Sequence, residues 1–326
     1  MLVQDKNSNA ARIGAGIAIK KANAAGNGKV VYKIEVRDME GPWGTGAKES
    51  VNLVFEKDVC AVIGAIDGRN SHLAEQVSAK TRVPFISACS GDPTLGQAFI
   101  PWFFSCVPND LQTAEILLTE IDKRGLRKII LLHDNSYDAG MAASSFMRKY
   151  QDHKGISIEN IAFNSQKDTT VFMKKAHDTD CVIFFGGSSA LAPFLKQARQ
   201  INPSVTFFAP YILMEEKISS QLKHFDNVET LNPGNFTTSP DNWFTVDYYR
   251  ITNSFPSGPA GYACDAVNII IDALKKAGDD RTVLFRRIAE SNQSGLTGKI
   301  SFDPSGNRKE FNGFLKIKNG GFEKED

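Results

Sequence analysis

Two rhythms alternate along this chain. Short, nearly unbroken apolar runs end in glycine or polar turns, and between them apolar residues return at helical spacing. The stretch 59–93 carries both. Val59-Cys60-Ala61-Val62-Ile63-Gly64 reads as a strand buried on both faces. Asn70-Ser71 caps a predicted helix with Leu73, Ala74 and Val77 on its inward face. Val83-Pro84-Phe85-Ile86 is the next predicted strand. The polar exits 66–71 and 88–92 then fall at the C-terminal ends of adjacent strands, where open parallel sheets take their ligands.

The same alternation predicts a helix over 10–24, a strand over 30–36, and a helix over 45–57 with Ala47, Val51, Val54 and Phe55 as its apolar stripe. A strand at 102–105 and a helix over 108–122 follow. Further strands are predicted at 127–132, 156–163, 181–185 and 205–208, separated by helices over 139–150, 169–177 and up to 200. The rhythm runs over 1–105 and again over 110–231, with breaks at Val107-Pro108-Asn109 and Asn232-Pro233-Gly234. Beyond the second break come helices over 240–254 and 259–277 and a β-rich tail, with 301–307 as a hairpin turn and 313–317 as its return strand. Strands alternating with helices predict parallel sheets, so the fold class is α/β with two lobes. The beginning is out of step, because the chain opens on a predicted helix with no strand before it.

Composition narrows the function classes. The 326 residues suffice for two domains, and 42% apolar with 23% charged residues is a globular balance. With 38 basic and 37 acidic side chains the net charge is +1, so neither nucleic acid nor an anionic membrane is expected as partner. No apolar run approaches the ~20 residues that cross a bilayer. Residues 4–9 are polar and do not open a signal peptide, which predicts either a cytoplasmic protein or a chain without its leader. The five cysteines, Cys60, Cys89, Cys106, Cys181 and Cys264, are scattered without a Cys-x-x-Cys pair and read as small buried hydrophobes. Cys60 and Cys89 lie on neighbouring predicted strands, which leaves a contact between them open.

Motifs for chemistry are missing. Gly41-Pro42-Trp43-Gly44-Thr45-Gly46 lies between a strand and a helix, but it matches neither phosphate-binding pattern, and Pro42 lacks an amide donor. It reads as a solvent-facing loop that sets Trp43 at a cleft rim. There is no Gly-x-Ser-x-Gly and no metal-ligand spacing, so no enzyme, cofactor or metal is expected. His133 and Asp134 are either polar cleft residues or a solvated loop. What remains are strand-end loops rich in small polar and aromatic residues, at 66–71, 88–92, 134–138, 186–189 and 209–211. Such groups suit hydrogen bonding of a small polar ligand. A helix N-terminus at Asn70-Ser71 would offer amides to a carboxylate, and Arg69 would add a charge-assisted bond.

Several segments in order resemble one family. They are Gly14-Ala15 through Asn23-Ala24-Ala25-Gly26; Asp38; Ala61-Val62-Ile63-Gly64; Val83-Pro84-Phe85-Ile86-Ser87 with Asp92-Pro93-Thr94-Leu95; and Asp134 with Tyr137 and Gly140. Further on come Phe185-Gly186-Gly187 with Gln197-Ala198; Gly261-Tyr262 with Asp265-Ala266; and Gly295-Leu296-Thr297-Gly298-Lys299-Ile300-Ser301-Phe302-Asp303 with Gly306. Together they resemble the type I periplasmic binding proteins, above all the leucine/isoleucine/valine-type substrate-binding proteins of ABC transporters.

The resemblance implies two Rossmann-like lobes with parallel sheets, residues 1–108 with 234–311 and 109–233 with 312–326, joined by a three-crossing hinge whose third crossing lies near 310–313. It implies that the family's first strand and a leader precede residue 1. The implied protein is extracytoplasmic, periplasmic or extracellular, with lipid anchoring of the full-length form left open. It would capture an amino acid or related carboxylate between the lobes and deliver it to an ABC transporter permease. The alternative is a ligand-sensing domain of a receptor or of an amide-responsive regulator. The family's ligand positions fall on Gly68, Arg69, Asn70, Ser90 and Gly91 in the first lobe and on Tyr137, Ser188 and Tyr211 in the second. Tyr137 matches a family tyrosine. Ser188 stands where a further tyrosine is usual, and Tyr211 stands where the acidic partner of the ligand's ammonium is usual. These departures leave a carboxylate without an amine, an aromatic acid or an amide open beside an aliphatic amino acid.

Overall fold

A computed structural model describes residues 1–326 except 27, 29, 42, 43, 98–100, 152, 154, 165–168, 279, 325 and 326. The chain begins with β1 (Leu2–Val3), α1 (Asn9–Ala25), β2 (Arg37–Asp38), α2 (Thr45–Phe55), β3 (Val62–Ala65), α3 (Gly68–Thr81), β4 (Phe85–Ser87) and β5 (Phe103–Ser105). It continues through α4 (Asp110–Lys123), β6 (Lys128–Asp134), α5 (Tyr137–Tyr150), β7 (Ser157–Phe163), α6 (Thr169–Ala176), β8 (Cys181–Phe185), α7 (Ser188–Ile201), β9 (Thr206–Phe208) and β10 (Val228–Leu231). Last come α8 (Trp243–Thr252), α9 (Gly258–Ala277), α10 (Arg281–Ala289), β11 (Asn292–Gly295), β12 (Gly298–Ser301), β13 (Phe314–Lys318) and β14 (Gly321–Lys324). Contacts divide the chain into unit 1, Met1–Asn109 with Pro233–Asn312, and unit 2, Asp110–Asn232 with Gly313–Asp326.

In unit 1 a parallel sheet runs in the order β2-β1-β3-β4-β5. This corrects two expectations. The chain does not open on a helix, and the first-strand place is filled by Leu2–Val3 itself. Leu2 faces Arg37 on one side and Gly64 on the other, and its side chain is fully buried. The predicted strand over 30–36 is also corrected. Its side chains do alternate, with Tyr32, Ile34 and Val36 half-buried and 31, 33 and 35 exposed, but only Arg37 and Asp38 join the ladder. Just upstream of that ladder the Glu35 carbonyl accepts from the Met1 amino group at 2.6 Å. Asn23 closes the segment further upstream, donating from its amide to the Tyr32 carbonyl and accepting from the Tyr32 N–H.

The inward stripe of α2 is Gly46, Ser50, Leu53 and Val54, while Val51 and Phe55 are exposed. Small residues take the core face there because the space is already filled: a Cβ on Gly46 would come 2.4 Å from Met39 Cε. Helix α1 packs on α9 through Gly14, where a Cβ would lie 2.1 Å from the Ala260 carbonyl oxygen. The core of this unit gathers Leu2, Leu53, Val62, Ile66, Phe85 and Phe103.

The tail differs from its expected pairing. The turn at 303–307 is present, with Asp303 N–H on the Asn307 carbonyl and Gly306 N–H on the Asp303 carbonyl. The residue that returns over it is Arg308, bridged to Phe302, and not 313–317. Phe314–Lys318 belongs to unit 2, antiparallel to β10 and β14. Helix α10 also stands where the sequence suggests only β-structure.

The sheet of unit 2 has the order β14-β13-β10-β9-β8-β6-β7, parallel except at β13 and β14. Its central strands are apolar throughout, and alternate residues feed two cores. Ile130, Leu132, Val182 and Phe184 pack with Phe172 of α6 and Leu191 and Phe194 of α7. Ile129, Leu131, Ile183 and Phe185 pack with Leu117 and Ile121 of α4 and Ala142 and Phe146 of α5. Helices therefore cover both faces, as continuous apolar strands require.

Each sheet has its first strand between its second and third. The order reverses between β1 and β3 in unit 1 and between β6 and β8 in unit 2. Such reversal points open a crevice at the strands' C-terminal ends. None of the five cysteines forms a disulfide. Cys60 precedes β3 while Cys89 follows β4, and Val62 faces Phe85, so the two thiols lie toward opposite ends of the sheet. Among the described residues no helix is long and apolar enough to cross a membrane.

Candidate functional site

In unit 1, β3 and β4 are parallel neighbours, so their exits bring Gly68, Arg69 and Asn70 to the same end of the sheet as Ser90 and Gly91. Local chemistry fixes the first exit. Asp67 is extended (φ −63°, ψ 169°) and caps α3 by accepting the Asn70 N–H at 2.7 Å. Its backbone carbonyl accepts the Ser71 N–H at 2.9 Å. The capping residue is therefore Asp67 and not Asn70-Ser71. The two amides expected to meet a carboxylate are engaged inside the protein, and Asp67 itself brings negative charge to that helix end. Gln4, just beyond β1, braces Asp67 across the reversal point: its side-chain amide donates to the carboxylate at 2.9 Å and accepts the Asp67 N–H at 3.1 Å. Gln4 was not singled out in the sequence, because its position follows only once β1 exists. Gly68 is buried, Asn70 half-buried and Arg69 exposed.

The second exit is a tight loop. Ser90 is buried, and its Oγ accepts the Asp92 N–H at 3.2 Å while its carbonyl accepts from Ser87 Oγ at 3.3 Å. Gly91 is half-buried. Asp92 accepts from Thr94 N–H at 2.8 Å and Thr94 Oγ at 2.6 Å, so the loop closes on a carboxylate with almost no exposure.

In unit 2, Tyr137 opens α5 behind the cap Ser136, whose hydroxyl donates to Asp134 at 2.5 Å. Asp134 ends β6 and abuts Gly186 beyond β8, where a Cβ would lie 2.9 Å from Asp134 Oδ2. His133 Nδ1 bonds the Asp134 carbonyl at 2.9 Å. Both residues are half-buried at the reversal point. Ser188 opens α7 and is buried. Its N–H and its hydroxyl both donate to the Glu215 carboxylate. Tyr211 follows β9, sets its ring 5.8 Å from and tilted against that of Phe185, and donates its hydroxyl proton to Asp110 at 2.6 Å. Burial, then the Asp110 charge, pushes this phenol well above its ordinary pKa. The hydroxyl proton of Tyr211 is thus committed to Asp110, which makes its ring and not its O–H the part offered to a neighbour.

Glu215 is the residue that sequence reading missed. A short helical turn over Ile212–Met214 follows β9 and swings the chain back, so an acid four positions beyond Tyr211 reaches the start of α7. The expected acidic position at Tyr211 is empty of charge, and the neighbouring turn supplies it. The expected rim position of Trp43 lies outside the described residues.

A family model described as "Periplasmic binding protein" matches residues 4–315. Among solved structures, the branched-chain amino acid transporter substrate-binding protein from Streptococcus pneumoniae, in complex with isoleucine, superposes with a TM-score of 0.83, 23% identity and coverage of 99% of this chain and 96% of that one. A solute-binding protein of an ABC transporter from R. palustris, in complex with benzoate, gives a TM-score of 0.80 at 16% identity, covering 98% and 93%. At these identities the likeness is one of fold. A segment of 82 residues is 28% identical to "Glutamate receptor 3.7" of Arabidopsis thaliana, and it spans 25% of this chain and only 9% of that protein's length.

Proposed function

The chain belongs to the periplasmic binding protein family, and from that premise we propose that it works outside the cytoplasm as the solute-binding component of an ABC transporter. It captures a small amino acid or related carboxylate and passes it to the permease without chemical change. The observation that carries this reading is the polar strand-end loops at the reversal point of each sheet. Isoleucine and benzoate, the ligands of two fold relatives, share a carboxylate. In this chain Ser90 and Arg69 are the groups for it, because Asp67 occupies the end of α3. In unit 2, Tyr137 opens α5 beside the strand-end loop of β6. Glu215, hydrogen-bonded through Ser188, carries lone pairs for an ammonium. That carboxylate favours an α-amino acid over an acid without an amine.

A thermal-shift screen of amino acids, aromatic acids and amides tests the reading. A true ligand at 100 times its Kd adds about 2.7 kcal/mol of stability. Failure of every amino acid and carboxylate to stabilise the protein, confirmed by calorimetric titration, would refute it. Glu215→Gln is expected to weaken isoleucine binding roughly ten- to hundred-fold, the worth of about 1.5–3 kcal/mol for a hydrogen bond to a charged group. Benzoate binding, which needs no ammonium partner, is expected to be unchanged. Equal losses for both ligands would show that Glu215 acts only as the cap of α7.

A further inference from the structure

We propose that His72 is a positioning residue for ligand capture: its ring ties the 88–96 loop, with Ser90 and Gly91 on it, to helix α3. This rests on the reading above, in which that loop contacts the ligand.

The geometry is a clamp of one cation between two buried acids. His72 Nε2 lies 3.1 Å from Asp92 Oδ2 and 2.7 Å from Thr94 Oγ. Its Nδ1 lies 3.5 Å from Glu75 Oε2, one turn along the same helix. The acids are almost fully buried, at 3% side-chain exposure for Glu75 and 0% for Asp92, while His72 is 30% exposed. Glu75 also accepts the Gly96 N–H at 3.1 Å, so the loop hangs on this cluster at Asp92, Thr94 and Gly96. From Asp92 the chain of bonds reaches Ser90 directly. Two buried carboxylates without a cation between them would repel each other. The ring resolves this only while it holds both protons. Hydrogen bonds to Asp92 and then Glu75 raise its pKa from 6.5 to about 9. The folded value lies above the unfolded one, so the clamp's contribution is complete below the unfolded value and is lost as pH rises through about 9.

A helix-surface histidine alone would be a weak signal. Here the ring faces Glu75 from α3 and Asp92 from the loop, with the Thr94 hydroxyl as third partner. Loss of the charge therefore loosens the loop that carries the proposed ligand contacts, and leaves unit 2 untouched.

The test compares wild type and His72→Gln with isoleucine, leucine and benzoate as probes by calorimetric titration from pH 7 to 10.5. Because the ligand ionises identically in both experiments, the ratio of Kd values isolates His72. The expected ratio is about ten at pH 7.5, falling toward one above pH 10. A ratio that is constant across this range means that the residue acts through packing alone, and the proposal is then wrong. The ring of the wild type, followed by NMR, is expected to titrate near 9, and a midpoint near 6.5 overturns the clamp without any variant. If the wild type binds none of the three probes, the proposed function is what fails. The tie to the loop is then decided by amide exchange at Thr94 and Gly96. His72→Gln raises that exchange at least ten-fold at pH 7.5 if the tie holds, and leaves it unchanged if it does not.

Discussion

Arg308→Met is expected to lower the stability of unit 1 by about 3–5 kcal/mol, the usual cost of breaking a buried charged network from one side. Arg308 is 1% exposed, yet it uses its guanidinium fully. Nη1 donates to the Cys106 carbonyl at 2.9 Å and to Thr297 Oγ at 2.8 Å, while Nη2 donates to the Thr297 and Lys299 carbonyls at 2.5 and 2.9 Å. The Thr297 hydroxyl passes the network on to Asp265 at 2.7 Å, and that carboxylate also accepts the Leu296 and Thr297 N–H groups. Burial raises the Asp265 pKa, and these three donors, with the Arg308 charge, pull it back. Methionine fills much of the volume and replaces none of the donors. Carbonyls from three separate residues lose a partner at once, and Asp265 loses its nearby cation. Urea unfolding monitored by a unit 1 probe reads the loss as a lower midpoint at unchanged slope. A loss under about 1 kcal/mol would mean that water or neighbouring amides satisfy these groups without the arginine.

Arg124→Met is the corresponding prediction for unit 2, again with a loss of about 3–5 kcal/mol. Arg124 holds Glu229 of β10 in a two-pronged pair at 2.6 and 2.7 Å, and Nε adds Glu120 at 2.6 Å. The guanidinium also lies 5.3 Å from the centre of the Phe208 ring. Arginine is 24% exposed in this pair but Glu229 only 3%, so removing the arginine is the costlier direction. Replacing both residues, Arg124→Met with Glu229→Leu, is expected to recover most of the loss. No recovery in the double variant would show that packing of the arginine stem, not the stranded charge, accounts for the effect.

Much of this architecture is legible from residue pattern alone. The central strands of unit 2 are uninterrupted runs such as Cys181-Val182-Ile183-Phe184-Phe185, and nothing competes with their burial. Strand β1 is different. Two apolar residues after Met1 carry no period, and only the partners on both sides make them a strand. The alternation over 30–36 is real, but alternation alone does not set ladder membership. Phe314–Lys318 was legible as a strand but not in its partner, since pairing across the chain leaves no local mark. The site divides in the same way. The exits that carry Gly68, Ser90, Tyr137 and Ser188 follow from strand ends. The donors and acceptors at those exits do not, because Asp67, Gln4 and Glu215 reach them through a cap, a distant strand end and a short helical turn.

The division of both units along the chain has a consequence for synthesis. Unit 1 draws on the first residues and on 233–312, and α1 seats against α9 only after residues 110–232 of unit 2 have been made. Unit 2 in turn lacks β13, whose Leu315 and Ile317 are fully buried, until the last segment emerges. On the ribosome neither core can close early. Nascent chains stalled before residue 313 are expected to stay open to protease throughout, whereas chains released after β14 become resistant. Such a chain remains threadable for as long as it is being made.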